Sequence, residues 1–455
     1  MAIYSSDTNN ITSFSSLLSY ISKSYSADIA FRSANRMVTY EQFVEAVLKC
    51  TSVLRVSAKH FFYVSATDVF LFACGFFSVI LAEHIVVLEN NVFTSADDIQ
   101  ILEEQDILSM ISSGKPEVPP EAEPNRCCLI AFSSGTTGFR KGIMLSQMNL
   151  LEDMKAISQR NEFRQGDRYV HVLPWTHLFG IMGDLLLTLF TGGTLYGFDH
   201  LSNWMTAIRN YSPNILYLPP AGVEALYSLQ QNTHDIDFST GGHLRKIIVG
   251  GAPLNANFNL FFKSYGIWIC QAYGLSECAP CISINSEDEH RDGSVGKVLP
   301  CCEVQIIDDE VVVRGSNVML GYYKGQDATK KVIHDGWLYT GDLGFFDKDG
   351  FLYLKGRKTN MIPLTNGIKI LPEEIEKHLS DVVGIQELLV QGTEDGRCIK
   401  IIVRCDFPKE FDYIHAEVKR IIDENYGTQV PCIIQQVLEP LPRNQLGKVI
   451  RKPIQ

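Results

Sequence analysis

The chain has 455 residues and a formal net charge of −12, and 45% of its residues are hydrophobic. This length is too great for one small core and predicts two or three domains. The acidic charge argues against a general nucleic-acid-binding surface, because such surfaces carry clustered Lys and Arg. The twelve cysteines are too sparse for a disulfide scaffold, so we expect free thiols in a reducing compartment.

Two stretches bear on membrane targeting. The N-terminal MAIYSSDTNNITSF has neither the basic start nor the apolar core of a secretory signal. The most apolar stretch, VFLFACGFFSVILA at residues 69–82, is too short to span a bilayer and predicts a buried helix. The runs FFYVS and HIVVL on either side of it predict strands, so the three elements form a βαβ unit. We therefore expect a cytoplasmic protein without a transmembrane segment.

Helical patterns alternate with short β-branched and aromatic runs through most of the first 300 residues. VTYEQFVEAVLKC predicts a helix, and residues 106–126, which are rich in proline, predict a linker or surface loop. Further strands are predicted at CCLIAFS, RYVHVLP, NILYLP, RKIIVGG and IWICQAYG. Each ends at small or polar residues, which is typical of open α/β sheets with ligand sites at the carboxyl ends of their strands.

The pattern changes after residue 300. EVQIID, EVVVRG and GWLYTGDLGFFDKDGFLYLKGR predict antiparallel strands with tight turns such as DKDG. From about residue 358, helices at PEEIEKHL and FDYIHAEVKRIIDENY and strands at ELLVQG and CIKIIVRC predict a smaller mixed segment. We therefore predict two domains, residues 1–357 and residues 358–455.

A loop rich in Gly, Ser and Thr follows the predicted strand CCLIAF. In FSSGTTGFRKG the candidate phosphate contacts are Ser133, Ser134, Gly135, Thr136, Thr137, Gly138 and Lys141. Glycines let backbone N–H groups approach phosphate oxygens closely, and the hydroxyl groups add donors. The spacing differs from that of a Walker loop, and a loop of this composition by itself is more often a plain turn.

Six further stretches carry candidate site residues, each with an ordinary structural explanation when taken alone. They are LPWTHLFG with His177, VGGAPL with Gly251 and Ala252, QAYGLSEC with Tyr273, Gly274, Ser276 and Glu277, YTGDLG with Asp342, LKGRKTN with Arg357, and LPRNQLGK with Lys448. The ordinary explanations are a core histidine, a helix N-cap at YGLSE, a surface hairpin at YTGDLG and a solvated basic tail at the last lysine.

In this order the stretches resemble the adenylate-forming superfamily, which comprises acyl-CoA synthetases, adenylation domains of peptide synthetases and luciferases. The resemblance runs from about residue 38 to the C-terminal end, and the first subdomain is shorter than usual. It implies an α/β fold with a large N-terminal domain of layered α/β sheets, a small β-barrel-like part, and a small mobile α+β C-terminal lid domain. It also implies ATP and Mg²⁺ as cofactors, with coenzyme A or carrier-protein phosphopantetheine as the acceptor.

The resemblance implies a nucleotide site. Residues 133–138 and Lys141 would bind the β- and γ-phosphates, Gly251 and Ala252 would lie along the adenine, and Tyr273 and Gly274 would flank it. A second set of implied roles concerns the ribose, the metal and the reaction. These are Ser276 on the α-phosphate, Glu277 on Mg²⁺, Asp342 on the ribose, Arg357 on the ribose or a phosphate, His177 beside the acyl pocket, and Lys448 as the catalytic lysine. An ammonium group near the attacking carboxylate stabilises charge in the transition state.

Several positions depart from the family pattern. Arg140 stands where proline is usual, Ser133 where threonine is common, Thr359 where the hinge usually has Asp or Lys, and Asn444 where the lysine motif has threonine. Gly367 matches the glycine loop that lines the family's thiol tunnel. The charged residues of the site are nevertheless present, so a nucleotide-binding homologue without activity is the weaker alternative.

The favoured function is an ATP-dependent acid–thiol ligase that forms an acyl-adenylate. We expect a fatty or aryl acid, because the THLFG stretch lacks the aspartate that pairs with the α-amine in amino-acid-activating members, although Asp184 follows shortly after it. An amino-acid-activating enzyme remains the alternative. The identity of the acid, and the choice between coenzyme A and an acyl carrier protein as the partner, stay open.

Overall fold

The structure is a computed structural model of the chain. It describes residues 8, 10–90, 99–120, 123–132, 140–198, 203–255, 257–380, 382–405, 408–427, 429–443 and 449–451. Two compact units are formed, the first by Met1–Val304 with Val313–Leu338 and the second by Gln305–Val312 with Tyr339–Gln455. The domain boundary predicted at residues 357 and 358 stays a prediction.

The predicted helix at VTYEQF is confirmed as Tyr40–Leu54. Thr39 caps it and forms a capping box with Gln42, which satisfies backbone donors that the first helical turn leaves unpaired. The other helices of the first unit are Phe14–Tyr25, Val69–Leu81, Glu104–Ser113, Gln147–Arg160, Leu178–Gly180, the π-helical Ile181–Leu187, Thr188–Phe190, Trp204–Tyr211, Pro220–Thr233, Ile236–Thr240, Asn257–Lys263, the 3₁₀ turn Ser276–Cys278, and Gln326–Lys330.

A nine-stranded sheet contains the four strands predicted between residues 160 and 300. Its central strands run parallel, so their carboxyl ends lie at one edge. In spatial order the strands are Lys297–Val298, Ser283–Ile284, Trp268–Tyr273, Lys246–Val249, Ile215–Leu218, Arg168–Val170, Thr194–Tyr196, Ile29–Arg32 and Met37–Thr39.

A six-stranded sheet contains the predicted βαβ unit, which is confirmed. Phe61–Ser65 and Ile85–Val87 pair in parallel, and every residue of the connecting helix Val69–Leu81 is buried. Among the described residues no helix has both the length and the apolar character needed to cross a bilayer. In spatial order the strands are Gly321–Tyr322, Gly142–Ser146, Cys127–Phe132, Ile85–Val87, Phe61–Ser65 and Ile99–Glu103.

The prediction of a linker over residues 106–126 is wrong for its first part. A helix covers Glu104–Ser113, capped by a reciprocal contact between Glu103 and Asp106, and it buries Ile107 and Met110. These two apolar residues lie one helical turn apart on the core face, which gives the helix an amphipathic pattern. The proline-rich composition that suggested a linker begins only after this helix ends.

The strands after residue 300 form an open five-stranded sheet rather than the expected barrel-like part, as far as the described residues extend. The predicted turn at DKDG is confirmed, because the Gly350 N–H donates to the Asp347 carbonyl. The strands follow the order Cys302–Ile307, Glu310–Gly315, Trp337–Phe346 and Ile333–His334, and Leu352–Arg357 pairs with Trp337–Phe346.

The rest of the second unit matches the predicted mixed segment. Three strands form a sheet in which one outer strand is antiparallel to the central strand and the other is parallel to it. Helices cover an apolar core that includes Ile375, Ile401 and Val418. The elements are the 3₁₀ turn Lys358–Asn360, the strands Ile362–Pro363, Lys369–Ile370, Glu387–Gly392, Ile399–Arg404 and Cys432–Val437, and the helices Pro372–Leu379 and Pro408–Tyr426.

Candidate active site

The glycine-rich loop joins two paired strands. Cys127–Phe132 ends directly before it and Gly142–Ser146 begins directly after it, with Phe132 opposite Gly142 in an antiparallel pair. The chain therefore enters and leaves the loop at neighbouring positions. The predicted phosphate contacts within it lie outside the described residues: Ser133, Ser134, Gly135, Thr136, Thr137 and Gly138.

Lys141 and Glu277 meet at one tyrosine. The Tyr322 hydroxyl donates to Glu277 Oε1 at 2.9 Å, and Lys141 Nζ lies 4.7 Å from the centroid of the Tyr322 ring. Pairing of Gly142–Ser146 with Gly321–Tyr322 brings the three residues together, since Tyr322 lies opposite Ile143. Lys141, at the end of the glycine loop, and Glu277, the predicted metal ligand, thus both contact the Tyr322 side chain.

Glu277 has the chemistry required of a Mg²⁺ ligand. Its carboxylate is a hard oxygen donor, the type that Mg²⁺ prefers, and substrate phosphates commonly supply the remaining ligands. The residue lies in the 3₁₀ turn Ser276–Cys278, which Ser276 begins. Its backbone carbonyl accepts from the Met319 N–H at 2.9 Å, so the turn is held to the segment that leads to Tyr322.

The residues expected around adenine lie at the ends of two neighbouring strands. Lys246–Val249 and Trp268–Tyr273 pair in parallel, with Val249 opposite Gln271. Gly251 and Ala252 follow the first strand and Tyr273 ends the second, so the fold places them along the same edge. Gly251 has φ +90°, a conformation that glycine adopts without strain.

Gly274 is required by close backbone packing, and its replacement yields a stability prediction. A Cβ atom at this position would lie 1.9 Å from the Pro280 carbonyl oxygen. We expect Gly274→Ala to lower the free energy of unfolding by about 3 kcal/mol, because the backbone must shift to accept the methyl group. Gly250→Ala is the matched control, since its Cβ would make an ordinary 3.5 Å contact with Phe179. Equal melting temperatures of the two variants by circular dichroism would contradict this expectation.

His177 begins the short helix Leu178–Gly180 and is largely buried. Its Nε2 atom is buried and hydrogen-bonds to no described residue. Burial lowers the pKa of His177 below its ordinary value, and the positive charge of Arg140 lowers it further. A neutral imidazole with an unpaired nitrogen can contact a polar group of a ligand.

Two pairings of an acid with a basic side chain were not predicted from the sequence. Arg140, near the end of the glycine loop, forms an ion pair with the Glu89 carboxylate, whose side chain is 9% exposed. Burial raises the pKa of Glu89, and the pairing with Arg140 opposes that shift. The second pair joins His171 Nδ1 to Asp184 Oδ2 at 3.0 Å. Each pair contains an acid placed in an otherwise apolar run, which was the available sequence signal.

Asp184 is fully buried, with one carboxylate oxygen occupied within the protein and the other, Oδ1, hydrogen-bonded to no described residue. Its Oδ2 atom accepts from the imidazole of His171 and from the N–H groups of Val172 and Leu173. Burial raises the pKa of Asp184, while the hydrogen bond from His171 opposes the shift. These contacts make it an internal partner of His171 and leave it poorly suited to bind a substrate amine.

In the second unit, Asp342 and Arg357 lie opposite each other on paired strands. Arg357 Nε lies 2.7 Å from Asp342 Oδ1, and the aspartate side chain is 9% exposed. The Asp342 N–H donates to Thr340 Oγ1 at 3.1 Å. The structure therefore brings together the two residues predicted to contact the ribose, and the arginine holds the carboxylate in place.

Lys448 lies outside the described residues, but the chain on both sides of it is anchored. Arg443 and Val449 form a bridge pair, and Arg443 Nη2 lies 2.7 Å from Glu387 Oε1. Arg451 Nη1 donates to Glu376 Oε1 at 2.9 Å. The described residues on either side of Lys448 are therefore held to Glu387 and Glu376.

Thr359 at the predicted hinge and Gly367 at the predicted thiol tunnel lie in exposed turns of the second unit. Thr359 occupies the centre of Lys358–Asn360, where Lys358 Nζ donates to Glu310 Oε2 at 2.8 Å. A charged contact is therefore present beside Thr359 even though Thr359 itself is uncharged. Gly367 has φ +87°, and no atom of the described residues lies within 4 Å of an added Cβ.

The comparison with protein families identifies the chain. A family model described as an AMP-binding enzyme matches residues 78–323, which is more than half of the chain. The chain belongs to the AMP-binding enzyme family. The matched range includes the glycine-rich loop, His177, the strand ends at Gly251 and Tyr273, and the Glu277 turn.

Named relatives of this AMP-binding protein include acid–CoA ligases. A long-chain-fatty-acid–CoA ligase of Salmonella typhimurium is 30% identical over 360 residues, which are 74% of this chain and 63% of the relative. The chain thus spans about three fifths of the length of that relative. An indoleacetate–CoA ligase of Aromatoleum aromaticum is 30% identical over 347 residues, which are 72% of this chain and 67% of the relative.

A solved structure shows the same fold. The o-succinylbenzoate CoA synthetase of Bacillus subtilis, in complex with its acyl-adenylate intermediate, has a TM-score of 0.78 to this chain. The match covers 96% of both chains at 21% identity. The expected α/β fold, with a large N-terminal and a small C-terminal domain, is confirmed.

Proposed function

We propose that the protein is an ATP-dependent acid–thiol ligase that activates a carboxylic acid as an acyl-adenylate. The observation that carries the proposal is the meeting of Lys141, Tyr322 and Glu277 at the end of the glycine loop. It joins a phosphate-binding cation and a Mg²⁺-binding carboxylate that are distant in sequence. Membership of the AMP-binding family supports the same chemistry.

In the first half-reaction, the carboxylate of the acid attacks the α-phosphorus of ATP and pyrophosphate leaves. Residues 133–138 and Lys141 bind the β- and γ-phosphates, and Ser276 contacts the α-phosphate. Glu277 would hold Mg²⁺, which neutralises phosphate charge when bound. Lys448 stabilises the charge that develops during attack.

The remaining nucleotide contacts follow from the two strand ends and from the hairpin of the second unit. Gly251, Ala252 and Tyr273 lie along the adenine. Asp342 accepts hydrogen bonds from both ribose hydroxyls, which an ionised carboxylate can do at once. Arg357 holds this carboxylate and supplies a further contact. His177 lies beside the acyl group.

The proposed substrates are a fatty or aryl acid and the thiol of coenzyme A or of a phosphopantetheine arm on an acyl carrier protein. The pairing of Asp184 with His171 supports this over an amino acid, because it occupies the acid that could have met an amine. The names of the two relatives, one for a fatty acid and one for an aryl acid, agree with it. We propose the cytoplasm as the location. All twelve cysteines are free thiols, which supports a reducing compartment.

Carboxylate-dependent exchange of pyrophosphate into ATP tests this proposal. We expect exchange with one or more members of a panel of fatty and aryl acids, and little with amino acids. An amino acid as the best substrate would favour the amino-acid-activating alternative. The absence of exchange with every acid would overturn the ligase proposal in favour of a nucleotide-binding protein without this activity.

A further inference from the structure

A cavity of about 660 Å³ opens beside the residues that precede His177. It lies at the carboxyl ends of parallel strands from both large sheets, because Ser65 and Val87 end strands of one sheet and His171 follows a strand of the other. Pro174, Trp175 and Thr176, which directly precede His177 in the chain, line this cavity. Ligand sites of α/β proteins occur at such strand ends.

The cavity lies one residue in the chain from an ion pair near the end of the glycine loop. Leu88 lines it, and the next residue, Glu89, forms the ion pair with Arg140, which directly follows the loop. Arg140 is also close enough to His177 to lower its pKa. The cavity therefore belongs to the same part of the first unit as Arg140 and His177.

The lining is partly apolar and partly polar. Val64, Val86 and Leu88 supply apolar surface, while Thr67 and Glu104 supply polar groups. Hydrogen bonds from the backbone N–H groups of Asp68 and Thr67 hold the pKa of Glu104 below its ordinary value. A mixed lining suits a flexible arm that carries amide groups and ends in a thiol better than it suits a plain hydrocarbon chain.

One wall is a stack of three rings, in the order Phe72, Trp175 and His171. Trp175 lies parallel to Phe72 at 4.3 Å between centroids, and His171 lies on Trp175 at 3.8 Å with 12° between the planes. The stack fixes the plane of the imidazole, and its side chain is only 6% exposed. His171 is therefore a rigid residue of this wall.

Asp184 determines which nitrogen of His171 is occupied within the protein. Nδ1 lies 3.0 Å from Asp184 Oδ2, in a pair that is closed to solvent. An acceptor on Nδ1 keeps the proton there and leaves Nε2 with a lone pair. His171 lines the cavity, and its hydrogen bond to Asp184 uses Nδ1, so Nε2 is the nitrogen left for a ligand.

We propose that His171, oriented by Asp184, is the general base of the second half-reaction and takes the proton of the acceptor thiol in this cavity. The S–H bond breaks as the proton passes to Nε2, and the sulfur forms a bond to the carbonyl carbon of the acyl-adenylate. The bond from that carbon to the phosphate oxygen then breaks, and AMP leaves with the electron pair. His171 returns the proton to solvent. Asp184 is a positioning residue.

This inference rests on the proposed ligase function, and separate assays of the two half-reactions distinguish them. Pyrophosphate exchange, with the best acid of the panel, measures adenylation. Transfer of a supplied acyl-adenylate to coenzyme A measures the thiol step. No exchange in the unaltered protein would overturn the ligase function. Normal exchange, with a thiol step that does not depend on His171, would overturn only the present proposal.

We expect His171→Gln to keep normal exchange and to slow thiol transfer about 100-fold at pH 7, the usual range for loss of a general base. The defect should shrink as the pH rises toward the thiol pKa of about 8.5, because the thiol then ionises without help. The other ionisable groups that face this region are Tyr63 and Glu104 on the cavity wall and Asp184 on the helix. His171→Gln and the unaltered protein share these groups.

Two further variants complete the test. Asp184→Asn should reduce thiol transfer less than His171→Gln, and His243→Gln, at an exposed position, is the matched control with no expected effect. Added imidazole should partly restore thiol transfer by His171→Ala. A higher KM for the acid in the exchange assay of His171→Gln would place the acid in this cavity and overturn the proposal, as would a thiol-transfer defect independent of pH.

Discussion

Lys448→Ala is expected to reduce pyrophosphate exchange by about 100- to 1000-fold while thioester formation from a supplied acyl-adenylate stays near normal. The ammonium group is proposed to stabilise charge on the attacking carboxylate and the α-phosphate, and loss of such a group typically costs about 100- to 1000-fold. The thiol step starts from a formed adenylate and does not need that charge. Both rates are measured on the same preparation, so a folding defect would lower both.

The matched control is Lys419→Ala. Lys419 is an exposed lysine of the second unit that pairs with Asp423 one helical turn away. Such surface pairs contribute only about 0–1 kcal/mol, so both half-reactions should be unchanged. An equal loss of adenylation and thiol transfer in Lys448→Ala would contradict a role confined to the first half-reaction.

Glu277→Gln is expected to have the second largest effect. The amide keeps the size of the side chain but loses the charge that holds Mg²⁺, and metal-based charge stabilisation is worth several kcal/mol. We expect exchange to fall about 100-fold or more, and the half-saturating Mg²⁺ concentration to rise. Titration of the exchange rate with Mg²⁺ at fixed ATP measures both quantities.

Tyr322→Phe separates the metal role of Glu277 from its hydrogen bond. This variant removes the hydroxyl that donates to Glu277 Oε1 and keeps the ring beneath Lys141. Loss of a group that orients a metal ligand costs about 10-fold in metal affinity, so its effect should be smaller than that of Glu277→Gln. If Glu277→Gln left the Mg²⁺ dependence unchanged, Glu277 would not be the metal ligand.

The elements that could be predicted from the sequence are those with strong local patterns. The apolar run at residues 69–82 between two β-branched runs has one reading, a buried helix between parallel strands, and the structure has it. The helix Glu104–Ser113 was missed because the proline-rich sequence after it dominated the composition of that segment. The π-helical turns at Ile181–Leu187 have the same apolar pattern as an α-helix, so local sequence cannot distinguish them.

The motifs propose the candidate site residue by residue, but they do not predict its contacts. Motif order identified Lys141 and Glu277, whereas their meeting at Tyr322 depends on strand pairing between residues about 180 positions apart. His171 and Asp184 each stand as one polar residue in an apolar run. That signal indicates a buried partner, but only the fold shows that the partners are each other.

An oxygen-18 transfer experiment tests the central claim most directly. The acid that is active in exchange is labelled with oxygen-18 in its carboxylate and incubated with ATP, Mg²⁺ and coenzyme A, and the nucleotide product is analysed by mass spectrometry. Attack of the carboxylate on the α-phosphorus predicts AMP that carries a single labelled oxygen, together with unlabelled pyrophosphate. Unlabelled AMP, or ADP as the nucleotide product, would contradict an acyl-adenylate mechanism.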